Sequence, residues 1–134
     1  MQVLLPPGWP RPKGYSNGVA ASGRMVFVAG MIGWDEHGSF PSDDFVDQAR
    51  QALLNVVAVL GEAGARPEHI VRLTWYVTDK QEYLAAGKAV GVAFREIIGS
   101  YNAAMTAVQV TALMEDRAKL EIEATAVIPA VIPA

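Results

Sequence analysis

The chain has 134 residues, 51% of them hydrophobic and 19% charged, which fits one packed globular domain and leaves little room for a second. Its net charge of -3 and pI near 5.3 argue against a nucleic-acid partner, which requires a basic field. The absence of cysteine excludes disulfides, thiolate metal sites and a cysteine nucleophile.

Residues 1–24 are rich in Pro and Gly and read as mostly extended or looped, with an extended segment at 1–14. Prolines interrupt this start, so no basic leader precedes a long apolar core, and no apolar run is long enough to cross a bilayer. The expectation is a cytoplasmic protein with neither a membrane nor a nucleic acid as partner. The run MVFVAGMI at 25–32 predicts a buried strand. Asp35, His37 and Gly38 then supply turn chemistry, and Pro41 and Ser42 lead into a helix. From Asp44 onward, Phe45, Ala49, Leu53, Val56, Val57 and Leu60 recur at helical spacing, and Gly64 is a natural stop.

A second strand is predicted at 70–77, with Val71, Leu73, Trp75 and Val77 on one face. Asp79 and Glu82 form a capping box that opens one further helix, whose apolar stripe is Tyr83, Ala86, Val90, Ala93, Phe94 and Ile97. Residues 106–113 and 118–128 read as two strands joined in a hairpin around Glu115 and Asp116. The chain ends on a repeated unit, AVIPAVIPA, whose residues 129–134 are read as a tail without function.

This order predicts a single α+β domain in which two helices cover one face of a mixed sheet. In 118–128, Leu120, Ile122, Ala124 and Ala126 point toward the helices, whereas Lys119, Glu121, Glu123, Thr125 and Val127 point away. The strand at 25–32 is apolar on both sides, with Phe27, Ala29 and Met31 on one and Val26, Val28 and Ile32 on the other. One of those rows would stand in water in a lone protomer, so self-association is expected to cover it. That would place Glu121 and Glu123 at or near an interface between copies.

Most chemical motifs are missing. His37 and His69 lie in separate loop contexts without HxH or HExxH spacing, so no metal is expected. The glycines form neither a phosphate loop nor a dinucleotide fingerprint, and no cofactor is expected. Ser16, Ser22, Ser42 and Ser100 have no evident base partner. A carboxylate in a partly desolvated cleft can position or deprotonate water, which makes Glu121 and Glu123 candidates. From spacing alone they read more simply as solvated strand residues beside Lys119.

Four ordered segments resemble the RidA/YjgF family, across nearly the whole chain from Tyr15 to Val127. Tyr15-Ser16-Asn17-Gly18, followed by a strand ending in Ala29-Gly30-Met31-Ile32, resembles the pattern YSQG…SGQI. QARQALLNV at 48–56 is similar to QTRQALENV, IVRLTWYVTD at 70–79 to VVKVTVFLTD, and EIEATAV at 121–127 to EIEAIAV. The resemblance implies one RidA-like domain over 1–134 with a chorismate-mutase-like fold, and a homotrimer with a barrel-like core. It also implies small-molecule clefts between subunits and hydrolysis of reactive enamines and imines such as 2-aminoacrylate.

By the same resemblance Glu121 helps place the attacking water and Tyr15 donates a hydrogen bond. Ala29, Gly30, Met31, Trp34, Gly87, Met105 and Thr106 fall at or beside the substrate, with Gly87 reaching in from a neighbouring subunit's helix. One position departs sharply. The segment Ala103-Ala104-Met105-Thr106 stands where the family carries PARS, so Met105 replaces the arginine that grips the substrate carboxylate. A thioether cannot form that bidentate, charge-assisted pair, and losing such a partner in a buried site costs on the order of 2–5 kcal/mol. Ala29, Met31 and Gly87 likewise replace a serine, a glutamine and an asparagine.

Two functions follow as expectations. One is a hydrolase or tautomerase acting on a bulkier, more apolar imine, enamine or related metabolite. The other is a trimer that binds a small molecule without catalysis. An endoribonuclease or translation-inhibitor role gains no physical support from an acidic chain lacking a basic aromatic surface.

Overall fold

In the computed structural model, which describes residues 1–100 and 102–130, the long elements form where the apolar periodicity places them. Strand β3 (Arg24–Met31) leads into helix α1 (Phe45–Glu62), and strand β4 (Ile70–Val77) follows a single 3-10 turn. Asp44 caps α1 by accepting from the Asp47 amide at 3.0 Å, and Ser42 Oγ accepts from the Asp44 amide at 3.0 Å. The helix ends at Gly64, whose φ of +75° is open to glycine at little cost, with the Ala65 amide closing back on the Leu60 carbonyl. Its inner stripe, Phe45, Ala49, Leu53, Val56 and Leu60, is fully buried.

After β4 the chain makes helices α2 (Lys80–Ala85) and α3 (Gly87–Ile97), then strands β5 (Ala104–Gln109) and β6 (Leu120–Ile128). The expected single helix is thus two, parted at Ala86, where ψ is 0° and the weak helix former Gly87 follows. Asp79 caps α2 by accepting from the Gln81 and Glu82 amides. The four long strands form one mixed sheet in the order β3-β6-β4-β5. β4 and β5 are parallel, joined through α2 and α3, and every other pairing is antiparallel.

The order corrects the expected hairpin. β5 and β6 are not neighbours, because β4 lies between them. Alternation tells which face a side chain takes but not which strand stands beside it. β5 also begins two residues before the expected start and stops at Gln109, opposite the end of its only long-strand partner, β4. At the N-terminus, β1 (Gln2–Leu4) pairs antiparallel with β2 (Gly18–Ala20) inside the stretch read as extended or looped. The tail read at 129–134 lies outside the described residues beyond Ala130.

Helices cover one face of the sheet. Leu73, Trp75, Leu120, Ile122 and Ala126 are at most 2% exposed on that side. On the other face Phe27 is 70% and Met25 57% exposed, as the double-sided apolar pattern of β3 anticipates. A bulge between Val28 and Met31 shifts the register of β3 on β6 and sets Met31 opposite core-facing Ile122. Met31 therefore packs against the core instead of sharing a face with Phe27 and Ala29. Among the described residues, no helix is long and apolar enough to cross a membrane.

Candidate functional site

The two glutamates of β6 have different surroundings. Glu123 accepts a 2.6 Å hydrogen bond from the Tyr76 hydroxyl on β4. That acceptor, with burial and the nearby Glu121 charge, pushes the Tyr76 phenol up, while Arg72 works the other way. Glu121 has no hydrogen-bond or ion-pair partner among the described residues. It lies over Gly30, where an added Cβ would stand 2.5 Å from Glu121 Oε1 and 2.6 Å from Cδ. Gly30 is therefore a bare patch of backbone that a carboxylate occupies, and a side chain there would displace the Glu121 carboxylate. Ala29 lies exposed on the same side and, with Phe27, Arg72, Thr74 and Glu123, lines an open concavity of about 460 Å³. Thr106 pairs with Thr74 at the β5 edge of this face.

Met105 points the other way. It is paired with Leu73, half-buried, and packed against the core on the helix side. There it shares a pocket of about 290 Å³ with Gly14, Trp75, Tyr83 and Gly87. Gly87 and Met105 line this pocket together within one chain. Tyr15 belongs to the same edge. Gly14 precedes it in the pocket wall, and Ser16 after it bridges β5 at Ala104, its amide donating to the Ala103 carbonyl at 3.0 Å. Trp34 sits in the turn after β3, its ring tilted against Phe40 at 6.1 Å and its carbonyl held by Asn55 Nδ2 at 2.8 Å.

Apart from Met31 and Trp34, the candidate residues thus fall into two groups that one protomer keeps on opposite sides of its sheet. Glu121, Gly30, Ala29 and Thr106 are on the open face, and Tyr15, Gly87 and Met105 are at the helix-side edge. Neither histidine joins a group. His37 is exposed beside Glu36, and His69 Nδ1 accepts from the Arg66 amide. Among the described residues no cluster of three or more His, Asp or Glu side chains is placed to hold a metal.

Sequence reasoning overlooked three residues. Buried Gln48 is 1% exposed, donates to the Ser42 and Arg117 carbonyls and accepts from the Lys119 amide, so it ties the start of α1 to the approach of β6. Tyr76 was passed over as an ordinary strand residue. The alternation places Trp75 on one face with Leu73 and Val77, and it is core, yet its Nε1 is buried without an acceptor among the described residues. The available signal was its bulk, since the resembling pattern carries a valine there.

Comparisons with known proteins agree with this architecture. The profile of the family described as Endoribonuclease L-PSP matches residues 10–128. The 2-iminobutanoate/2-iminopropanoate deaminase of Salmonella typhimurium is 34% identical over 105 residues, covering 78% of this chain and 80% of that protein. The Rid-family protein YyfB from Yersinia pestis superposes with a TM-score of 0.74 at 30% identity, over 95% of this chain and 98% of that one. Escherichia coli TdcF, solved with bound serine, gives a TM-score of 0.69 at 33% identity over 96% and 99%. Sequence and fold together settle the lineage, and this chain belongs to the endoribonuclease L-PSP family, the RidA/YjgF proteins.

Proposed function

We propose that the chain hydrolyses an imine or enamine to a carbonyl compound and ammonia, in clefts between the copies of a homotrimer. One observation carries this reading. The Glu121 carboxylate, unpaired among the described residues, lies over bare Gly30 beside an apolar sheet face that leaves Phe27 70% exposed. A second copy covering that face would bring its Tyr15–Met105–Gly87 edge toward Glu121 and make one cleft from two half-sites. Covering a phenylalanine stabilises such an assembly by about 1.5–3 kcal/mol per side chain.

In that cleft Glu121 accepts a proton from water as the water oxygen adds to the C=N carbon, and the nitrogen takes up a proton. Collapse of the adduct breaks the C–N bond, so imine and water become carbonyl compound and ammonia. Tyr15 supplies a hydrogen bond to the substrate. The Salmonella relative, a 2-iminobutanoate/2-iminopropanoate deaminase, supports this reaction class. Met105 supports a difference in substrate, since no guanidinium stands there to pair with a carboxylate.

A second reading, a trimer that binds without catalysis, is favoured by the uncharged walls around Met105. Ammonia release from 2-iminopropanoate and from bulkier imines separates the two. Turnover of a bulky imine that falls about a hundredfold or more in Glu121→Ala at unchanged Tm supports the hydrolase. Saturable ligand binding with no ammonia from any imine supports the binder.

A further inference from the structure

Among the described residues, the pocket holding Met105 carries no charged side chain in its wall. Trp75 and Met105 form its sheet side, Tyr83, Leu84 and Phe94 its helix side, and Gly14 and Gly87 contribute no side chain at all. A Cβ added at Gly87 would meet nothing within 4 Å, so the space beside it is open. Burial pushes the Tyr83 phenol up, and the ring stays neutral. An apolar cavity of roughly 150 Å³ already holds benzene. At about 290 Å³, this one takes a ring with a short substituent.

Trp75 adds a polar demand. It is 2% exposed, yet its indole N–H has no acceptor among the described residues. Buried donors are nearly always paired, and an unpaired one carries its desolvation penalty in full. Met105, unbranched and soft, is the neighbouring wall most able to shift and let an acceptor reach that N–H.

We infer that this pocket binds the substrate's uncharged ring and that Trp75 Nε1 donates to its C=N nitrogen or C=O oxygen, which makes the substrate class neutral aryl imines. The inference rests on the hydrolase reading above for its chemistry. Water adds to the ring-bearing C=N carbon, the C–N bond breaks, and an aryl ketone or aldehyde leaves with ammonia. A carboxylate-bearing imine is disfavoured, because nothing in the wall pairs with it.

The test uses the full chain and acetophenone, the neutral ketone product of such a substrate, followed by ligand-observed NMR. Isopropenylbenzene, which has CH₂ in place of oxygen, and benzoate are the comparators. Acetophenone is expected to saturate and to bind about fivefold tighter than isopropenylbenzene, and at least about tenfold tighter than benzoate. Trp75→Phe should erase the preference for acetophenone over isopropenylbenzene, and Gly87→Leu should remove binding of both. Absence of saturable acetophenone binding, a benzoate preference, or an acetophenone preference that survives Trp75→Phe overturns the inference. Ammonia release from 2-iminopropanoate without acetophenone binding would sink this pocket and leave the hydrolase. Saturable acetophenone with no imine turned over would sink the hydrolase and leave a ring-binding pocket.

Discussion

The two faces of the sheet solve opposite problems. The helix side is closed over Leu73, Trp75, Leu120 and Ile122, and what it keeps open is an uncharged pocket at its edge. The open side presents carboxylates, a phenol, threonines and Arg72 between Phe27, Met25 and Val108, each more than 40% exposed. A catalytic carboxylate needs the second environment and an apolar substrate needs the first. This chain builds both, but on opposite sides, so the proposed cleft would draw on two copies. In that proposal one copy's open face supplies the polar group and another copy's helix-side edge supplies the pocket.

The largest effect should come from separating the copies. Phe27→Asp puts a charge on the edge strand β3 of the face to be covered and leaves the core of the protomer untouched. Sedimentation equilibrium is expected to give three times 14.4 kDa for the wild type and a single protomer for the variant, with turnover lost alongside. A wild type that sediments as one protomer would remove the cleft altogether.

The next test moves the carboxylate without deleting it. In Gly30→Ala the new Cβ would stand 2.5 Å from Glu121 Oε1, so the side chain must swing away. A displacement of this size in a reacting group costs about a hundredfold in rate, and kcat should fall by that much while Tm changes little. Unaltered kcat would show that the position of Glu121 over Gly30 is irrelevant to turnover.

A smaller, opposite effect is expected at the pocket. Met105→Arg introduces a guanidinium where no described wall residue is charged. Binding of carboxylate-bearing imines should rise about tenfold, and binding of acetophenone should weaken, as read by parallel titrations. If neither affinity moves, then Ala29 and Gly87, which also depart from the resembling pattern, limit recognition.

Much of this arrangement was legible before any coordinates. The stripe of α1 repeats over five turns, and the alternation of β6 separates its glutamates from its core residues without ambiguity. Period two also says that adjacent Met105 and Thr106 take opposite faces, although family resemblance groups them at one substrate. The bulge in β3 was not legible, since one inserted residue changes the face of Met31 without any change in composition. Nor was the place of β6 between β3 and β4, because alternation assigns a strand its faces and not its neighbours. The orphaned indole of Trp75 is a matter of three-dimensional packing, and no local pattern encodes it.

The mildest test distinguishes the two glutamates through pH. Tyr76 donates to Glu123 at 2.6 Å, and this contact raises the phenol in the folded chain above its ordinary value of about 10. A group raised on folding stabilises fully while pH is below its unfolded value, and that contribution is lost as pH climbs through the higher folded one. Wild-type Tm should therefore fall above pH ~10, and Tyr76→Phe should fall less steeply over the same interval. Some slope must persist in the variant, because burial raises Tyr83 in the same direction. An equal or steeper fall in Tyr76→Phe would mean that Glu123 is not held by this phenol. The contrast with Glu121 would then lose its structural basis, since one carboxylate would be as free as the other.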